Sequence, residues 1–172
     1  MLHISAEKIS DFAKLEEIKI FFRLGGLKMF GIIVGTHGEF ANGIVQSCEM
    51  IYGKREKLRA VTLVPGEGPD DVVAKYEKAI KELGTEKILF LNDLMGGSPY
   101  NAACRLVALN ENYGIVAGVN LPMLIAVSSL QDADDGSMSL EELMDQAVNA
   151  AKDGATISTY ESLNAADDED EL

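Results

Sequence analysis

The sequence predicts an α/β domain: a doubly wound, mostly parallel sheet with helices on both faces. Short apolar, β-branched runs recur at residues 30–34, 58–64, 87–91 and 114–119, as expected of strands buried on both sides. After each run the apolar residues return at helical spacing. Polar, glycine-bearing segments stand at the junctions, and such alternation lays parallel strands side by side with helices crossing between them.

Taken in order, residues 1–28 form an N-terminal extension that differs in pattern from the rest of the chain. Ser5 to Leu24 carries a loose helical pattern (Ile9, Phe12, Ala13, Leu15, Ile18, Phe21, Phe22) ending at Gly25-Gly26. It reads as a helix lying on the domain, or as a segment upstream of the natural start. Met29 directly precedes the first strand, and the codons of the glycine pair and the two residues after it could encode a purine-rich ribosome-binding site. The hypothesis that Met29 is the initiator is checked by intact mass on protein from the native host; a full-length mass sinks it.

The first strand gives way to Gly35-Thr36-His37-Gly38, then to a helix with Ile44, Val45, Cys48 and Ile51 on its apolar face and Gly53 as its stop. Residues 58–64 are the second strand, closed by Pro65-Gly66. Asp70 and Asp71 give first-turn negative charge to a helix facing inward with Val72, Tyr76, Ala79, Ile80 and Leu83, stopped by Gly84. The third strand, 87–91, opens into Asn92-Asp93-Leu94-Met95-Gly96-Gly97-Ser98-Pro99, with Ser98 as a cap and Pro99 in the first turn of a helix burying Ala102, Ala103, Leu106 and Val107. After the fourth strand, Asn120-Leu121-Pro122-Met123 opens a helix so apolar that most of its sides need cover. Ser139 with Glu142 reads as a capping box for a last helix, and residues 155–159 as a short fifth strand.

A chain of 172 residues, 47% hydrophobic, suits one core, here spanning 29–160. No apolar run approaches the ~20 residues that cross a bilayer, and the N-terminus lacks a signal-like apolar block, so a cytoplasmic protein is expected. Cys48 and Cys104 make neither a disulfide framework nor a ligand set and read as small core residues. The formal charge of −13 argues against nucleic acid and anionic membrane as partners. Residues 161–172 hold six of the acids and no base, leaving −7 on the rest. That segment reads as a solvated, disordered acidic tail, and the acidic body would steer a basic protein partner.

The chemistry concentrates in two loops. With sheet order 2-1-3-4, strands 1 and 3 are neighbours at the point where the order reverses, and the loops carrying His37 and Asp93 face each other across the crevice where α/β sheets bind ligands. Alone, a histidine between glycines also fits a plain turn residue. Paired with Asp93, one imidazole nitrogen is held as N–H and the other is left as a nucleophile. The surrounding donors are the N–H groups of Gly38, Gly96 and Gly97 and the hydroxyls of Thr36 and Ser98, which suit a tetrahedral anion and phosphoryl transfer. One histidine and one aspartate fall short of a metal site. Neither a P-loop nor a dinucleotide fingerprint is present, so no nucleotide cradle and no cofactor are implied, and phosphate must arrive already activated.

Across residues 29–159 the segments GIIVGTHGEFANGIVQSCEMIYG, VPGEG, LFLNDLMGGSPYNAA and GVNLPML, in this order, resemble the IIA component of the mannose-type (mannose/fructose/sorbose) bacterial sugar phosphotransferase system. The resemblance implies a phosphocarrier in which His37 accepts a phosphoryl group on Nε2 from the phosphohistidine of HPr. It then passes the group to a histidine of a separate IIB component, serving sugar uptake through membrane IIC and IID components. It implies that Asp93 holds the Nδ1–H of His37, and that the protein is a homodimer whose last strand, 155–159 here, crosses to the partner's sheet. The extension, including His3, which is expected at the surface, and the acidic tail lie outside the likeness. Two alternatives stand beside it: the phosphodonor subunit of a dihydroxyacetone kinase, and a non-catalytic regulatory module that reports sugar supply by its phosphorylation state. Neighbouring genes for IIB, IIC and IID, for kinase subunits, or for neither would separate the three.

Overall fold

The computed structural model describes residues 29–164. Strands β1 (Gly31–His37), β2 (Leu58–Leu63), β3 (Ile88–Asn92) and β4 (Tyr113–Ala117) form one parallel sheet in the order β2-β1-β3-β4, the order expected. β1 runs past its apolar stretch because Thr36 and His37 stay in register with Thr62 and Leu63 of β2. Pairing with a neighbour, and not hydrophobicity, thus carries the histidine to the end of a strand.

Helices α1 (Phe40–Tyr52), α4 (Leu121–Ala133) and α5 (Leu140–Asp153) cover one face, and α2 (Pro69–Leu83) and α3 (Ser98–Val107) cover the other. On the first face Ile32, Val34, Leu89 and Leu91 pack against Ala41, Ile44, Cys48, Leu124, Val127 and Leu143. On the second, Ile33, Ile88 and Phe90 pack against Val72, Tyr76, Leu83, Ala102 and Ala103. Phe90 meets Tyr76 edge-on at 5.0 Å between ring centroids; removing so large a buried side chain, Phe90→Ala, costs about 3–5 kcal/mol. The apolar α4 is covered as expected, held between α1, α5 and the sheet. Cys48 is a core residue; Cys104 is only half-buried on α3, and Ile51 is exposed at the end of α1.

The helix ends show which local signals are used. Gly53 and Gly84 close α1 and α2 with N–H bonds to Glu49 and Ile80 carbonyls, Gly84 in the left-handed region. Asp71 accepts from the Gly68 N–H at 2.8 Å to start α2. Ser139 and Glu142 form the expected box at α5: Ser139 Oγ accepts from the Glu142 N–H, and Glu142 Oε2 accepts from the Ser139 N–H. Ser98 is a correction. It is the first helical residue of α3 and not its cap; the cap position belongs to Gly97, which has no side chain to offer.

The fifth strand is not formed within this single chain. Residues 155–159 pair with no strand in the described chain, and Ile157 is 90% exposed. An isolated extended segment gains no ladder hydrogen bonds. Tyr160–Asn164 then form a short helix, α6, so the stretch expected to be a disordered tail begins in helix; Thr159 and Ser162 cap it reciprocally. Residues 1–28, with His3, and 165–172 lie outside the described residues.

Candidate functional site

Alternation along β1 sends Ile33, Gly35 and His37 to the face covered by α2 and α3. Ile33 lies in that face's core. A Cβ added to Gly35 would fall 1.8 Å from Tyr76 Oη, so residue 35 has to be glycine for the tyrosine to pass beneath the strand end. Thr36 points the other way, is fully buried, and accepts from the Ala41 N–H at 2.7 Å, fixing the first turn of α1. Gly38, at φ +54°, turns the chain out of the sheet while its N–H donates to the Leu63 carbonyl at 2.8 Å. His37 is therefore set between a paired strand and a fixed helix start.

Asp93 comes directly after β3, the strand beside β1. Its Oδ2 accepts twice from His37, from the backbone N–H at 3.0 Å and from Nδ1 at 2.9 Å, and its Oδ1 accepts from the Leu94 N–H at 2.9 Å. A carboxylate only accepts, so in the neutral ring the proton sits on Nδ1 and the lone pair on Nε2. The His37 side chain is 44% exposed against 17% for Asp93: the anchored edge is sheltered and the ring is open. Beside it runs the loop backbone. A Cβ on Gly97 would come within 2.7 Å of His37 Cε1 and 3.4 Å of Nε2, so the start of α3 stands against the nucleophilic edge only because residue 97 lacks a side chain.

The expected phosphate donors divide. The Thr36 hydroxyl donates to the His37 carbonyl, the Gly38 N–H to Leu63 and the Gly97 N–H to Leu94. Gly96 N–H, Ser98 N–H and Ser98 Oγ donate to no protein acceptor among the described residues. They stand at the start of α3, which has no side-chain cap, and open amides at a helix N-terminus favour negative charge. No group of three or more His, Cys, Asp or Glu that could hold a metal occurs among the described residues. No helix there is long and apolar enough to cross a membrane.

Three features escaped the sequence reading. Asn92, fully buried, donates from Nδ2 to the Gly35 carbonyl at 2.7 Å and to Tyr76 Oη at 2.9 Å; Tyr76 Oη donates to the Pro99 carbonyl at 3.2 Å. A polar residue closing an otherwise apolar strand was the available signal for Asn92. Tyr76 gave none, since its spacing marks it as an ordinary core position. Phe40, Leu94 and Met95, each within three residues of His37 or Asp93, are 47%, 61% and 74% exposed. Next to the site, the VPGEG turn is fixed by Glu67, whose Oε2 accepts from Lys75 Nζ and the Val64 N–H. Those two bonds, the lysine's first, hold its carboxyl below the usual range.

Comparison with known proteins adds an independent line. The family pattern described as "PTS system fructose IIA component" matches residues 31–148. The mannose-specific EIIAB component of Escherichia coli (strain K12) is 40% identical over 124 residues, 72% of this chain; the chain thus spans only 38% of that relative's length. The fructose-specific EIIA component of Bacillus subtilis (strain 168) is 40% identical over 105 residues, 60% of this chain and 72% of the relative. Among solved structures, a phosphotransferase system EIIA component from Streptococcus agalactiae superposes with a TM-score of 0.68 at 26% identity, covering 75% of this chain and 97% of the other.

Proposed function

The chain belongs to the mannose-type IIA family of the sugar phosphotransferase system, and on that premise we propose that it is a phosphocarrier using His37 as its transient phosphate acceptor. The observation that carries this is the pair of hydrogen bonds from His37 to Asp93 Oδ2, at 3.0 Å from the backbone and 2.9 Å from the ring. In the neutral ring it leaves the lone pair on Nε2, on a side chain 44% exposed. Transfer breaks the N–P bond of a donor phosphohistidine as the Nε2 electron pair forms the new one. The donor ring recovers its own pair, and Asp93 stabilises the positive charge appearing on the His37 ring. Charge on the equatorial phosphoryl oxygens is met by the N–H groups of Gly96 and Ser98, the Ser98 hydroxyl and the α3 N-terminus. Thr36, Gly38 and Gly97 act by shaping the loops.

Phosphorylated HPr is the donor and a separate IIB component the acceptor, with membrane IIC and IID proteins served indirectly and the carrier working in the cytoplasm. The exposed Phe40, Leu94 and Met95 give two successive protein partners an apolar surface around the ring. The homodimer remains the proposal for residues 155–159: the exposed Ile157 and the position of β4 at the edge of the sheet suit exchange of this segment between protomers. The relatives are named for mannose, fructose and sorbose systems, which supports a sugar of this type and disfavours the dihydroxyacetone kinase alternative. The test is phosphate transfer from phosphorylated HPr to this chain and on to IIB. His37→Ala abolishes both steps while leaving the fold intact, and labelling that persists in that variant moves the nucleophile elsewhere.

A further inference from the structure

Beneath the reacting ring lies a buried polar relay that links four elements. Tyr76 and Asn92 are both fully buried. Asn92, the last residue of β3 and the neighbour of Asp93, reaches across to the carbonyl of Gly35, two residues before His37 on β1. Its second amide hydrogen goes to Tyr76 Oη on α2, and that hydroxyl gives its own hydrogen to the carbonyl of Pro99 in the first turn of α3. Burial pushes the Tyr76 phenol up, which keeps the hydroxyl protonated as a donor.

A core built for stability alone would not choose this arrangement. Asn92 Oδ1 is buried without a partner, a cost that an apolar side chain would avoid, and β1 has to carry a glycine at position 35 to admit the hydroxyl at all. What the relay obtains is placement. Gly97, whose backbone stands against Cε1 and Nε2 of His37, is two residues before Pro99; the strand end bearing the ring and the helix start bearing the phosphate donors are thus tied through one hydroxyl.

We propose that Tyr76 is a positioning residue for phosphoryl transfer: its hydroxyl, bonded to Pro99 and Asn92, sets where the first turn of α3 stands relative to the His37 imidazole. The inference rests on the phosphocarrier reading. Phosphoryl transfer draws its rate from alignment, and small displacements of the groups around the reacting atom are costly. Tyr76→Phe keeps the ring packed on Phe90 and removes only the tie.

The experiment compares wild type, Tyr76→Phe and Val72→Ala, a core truncation on the same helix, below their melting transitions, with phosphorylated HPr as donor. For Tyr76→Phe the maximal transfer rate falls roughly tenfold, while the donor concentration for half-maximal rate stays put, because the docking surface is untouched. Val72→Ala loses stability without losing rate. In parallel, NMR tracks the His37 Nδ1–H signal of the unphosphorylated proteins, which shifts in Tyr76→Phe and not in Val72→Ala. Tyr76→Phe transferring at the wild-type rate onto His37, or Val72→Ala slowing as much, overturns the inference while leaving the phosphocarrier reading standing. A wild-type chain that takes no phosphate sinks that reading instead, and an unshifted ring signal then sinks the positioning claim as well.

Discussion

The first turns of α3 and α5 each begin with a serine near their start, yet they are finished differently. At α5, Ser139 occupies the cap position and exchanges hydrogen bonds with Glu142, so the amides of both residues have partners from within the chain. At α3 the serine falls one residue late. Gly97 holds the cap position, no side chain closes the turn, and the backbone comes to rest against the edge of His37. Glycine is itself a tolerated cap, about a few tenths of a kcal/mol worse than serine, so α3 leaves its amides open at little cost to stability. The difference teaches what the late serine allows: the helix start beside the imidazole keeps amides and a hydroxyl that no protein group among the described residues occupies.

The contrast can be broken from the α3 side first. Gly97→Ala brings a methyl group to within 2.7 Å of His37 Cε1, so the ring or the loop has to move; a displacement on the scale of 1 Å lowers phosphate uptake by about 10²-fold, read as initial rate of labelling from phosphorylated HPr. Circular dichroism of that variant is expected to match wild type, since the substitution lies outside both core clusters. Asp93→Asn comes next. One carbonyl oxygen cannot reproduce a carboxylate that serves two His37 donors through one oxygen and Leu94 through the other, and transfer slows roughly tenfold as control of the tautomer loosens. An unchanged rate would remove Asp93 from the mechanism.

From the α5 side the effect falls on stability alone. Ser139→Ala lowers unfolding free energy by about 1 kcal/mol, measured by urea denaturation, and leaves the transfer rate as it was. The smallest effect is on acid stability. The Ser139 hydroxyl, then its backbone N–H, hold the Glu142 carboxyl below the usual range. A group whose folded pKa is depressed contributes stability above its unfolded pKa and loses it as pH falls through the folded one. Thermal melts of Glu142→Gln should therefore fall less steeply than wild type as pH drops below the ordinary carboxylate range; identical slopes would remove this bond from the acid response.

How much of this was legible in the sequence depended on the range of the interaction. The parallel sheet came from the alternation of elements; the meeting of His37 and Asp93 followed once the order was taken as 2-1-3-4, because loops at the same end of adjacent parallel strands have to face each other. Glycine stops and the Ser139 box are local and were readable as such. Gly35 was not: its need for a missing side chain is set by Tyr76, which arrives from another helix. Ser98 misled because cap and first-turn positions differ by one residue, and a serine reads the same at either. Residues 155–159 have strand-like composition, but a strand is completed by a partner, and no part of the described chain supplies one.

The central claim is that Nδ1 is held as N–H by Asp93 and that Nε2 is the acceptor. It is tested most directly by 15N and 31P NMR of the protein after incubation with phosphoenolpyruvate, enzyme I and HPr. The account predicts a single phosphoramidate, acid-labile and base-stable, on His37 with phosphorus coupled to Nε2 and the proton retained on Nδ1. Phosphorus on Nδ1, or on any residue other than His37, would contradict it.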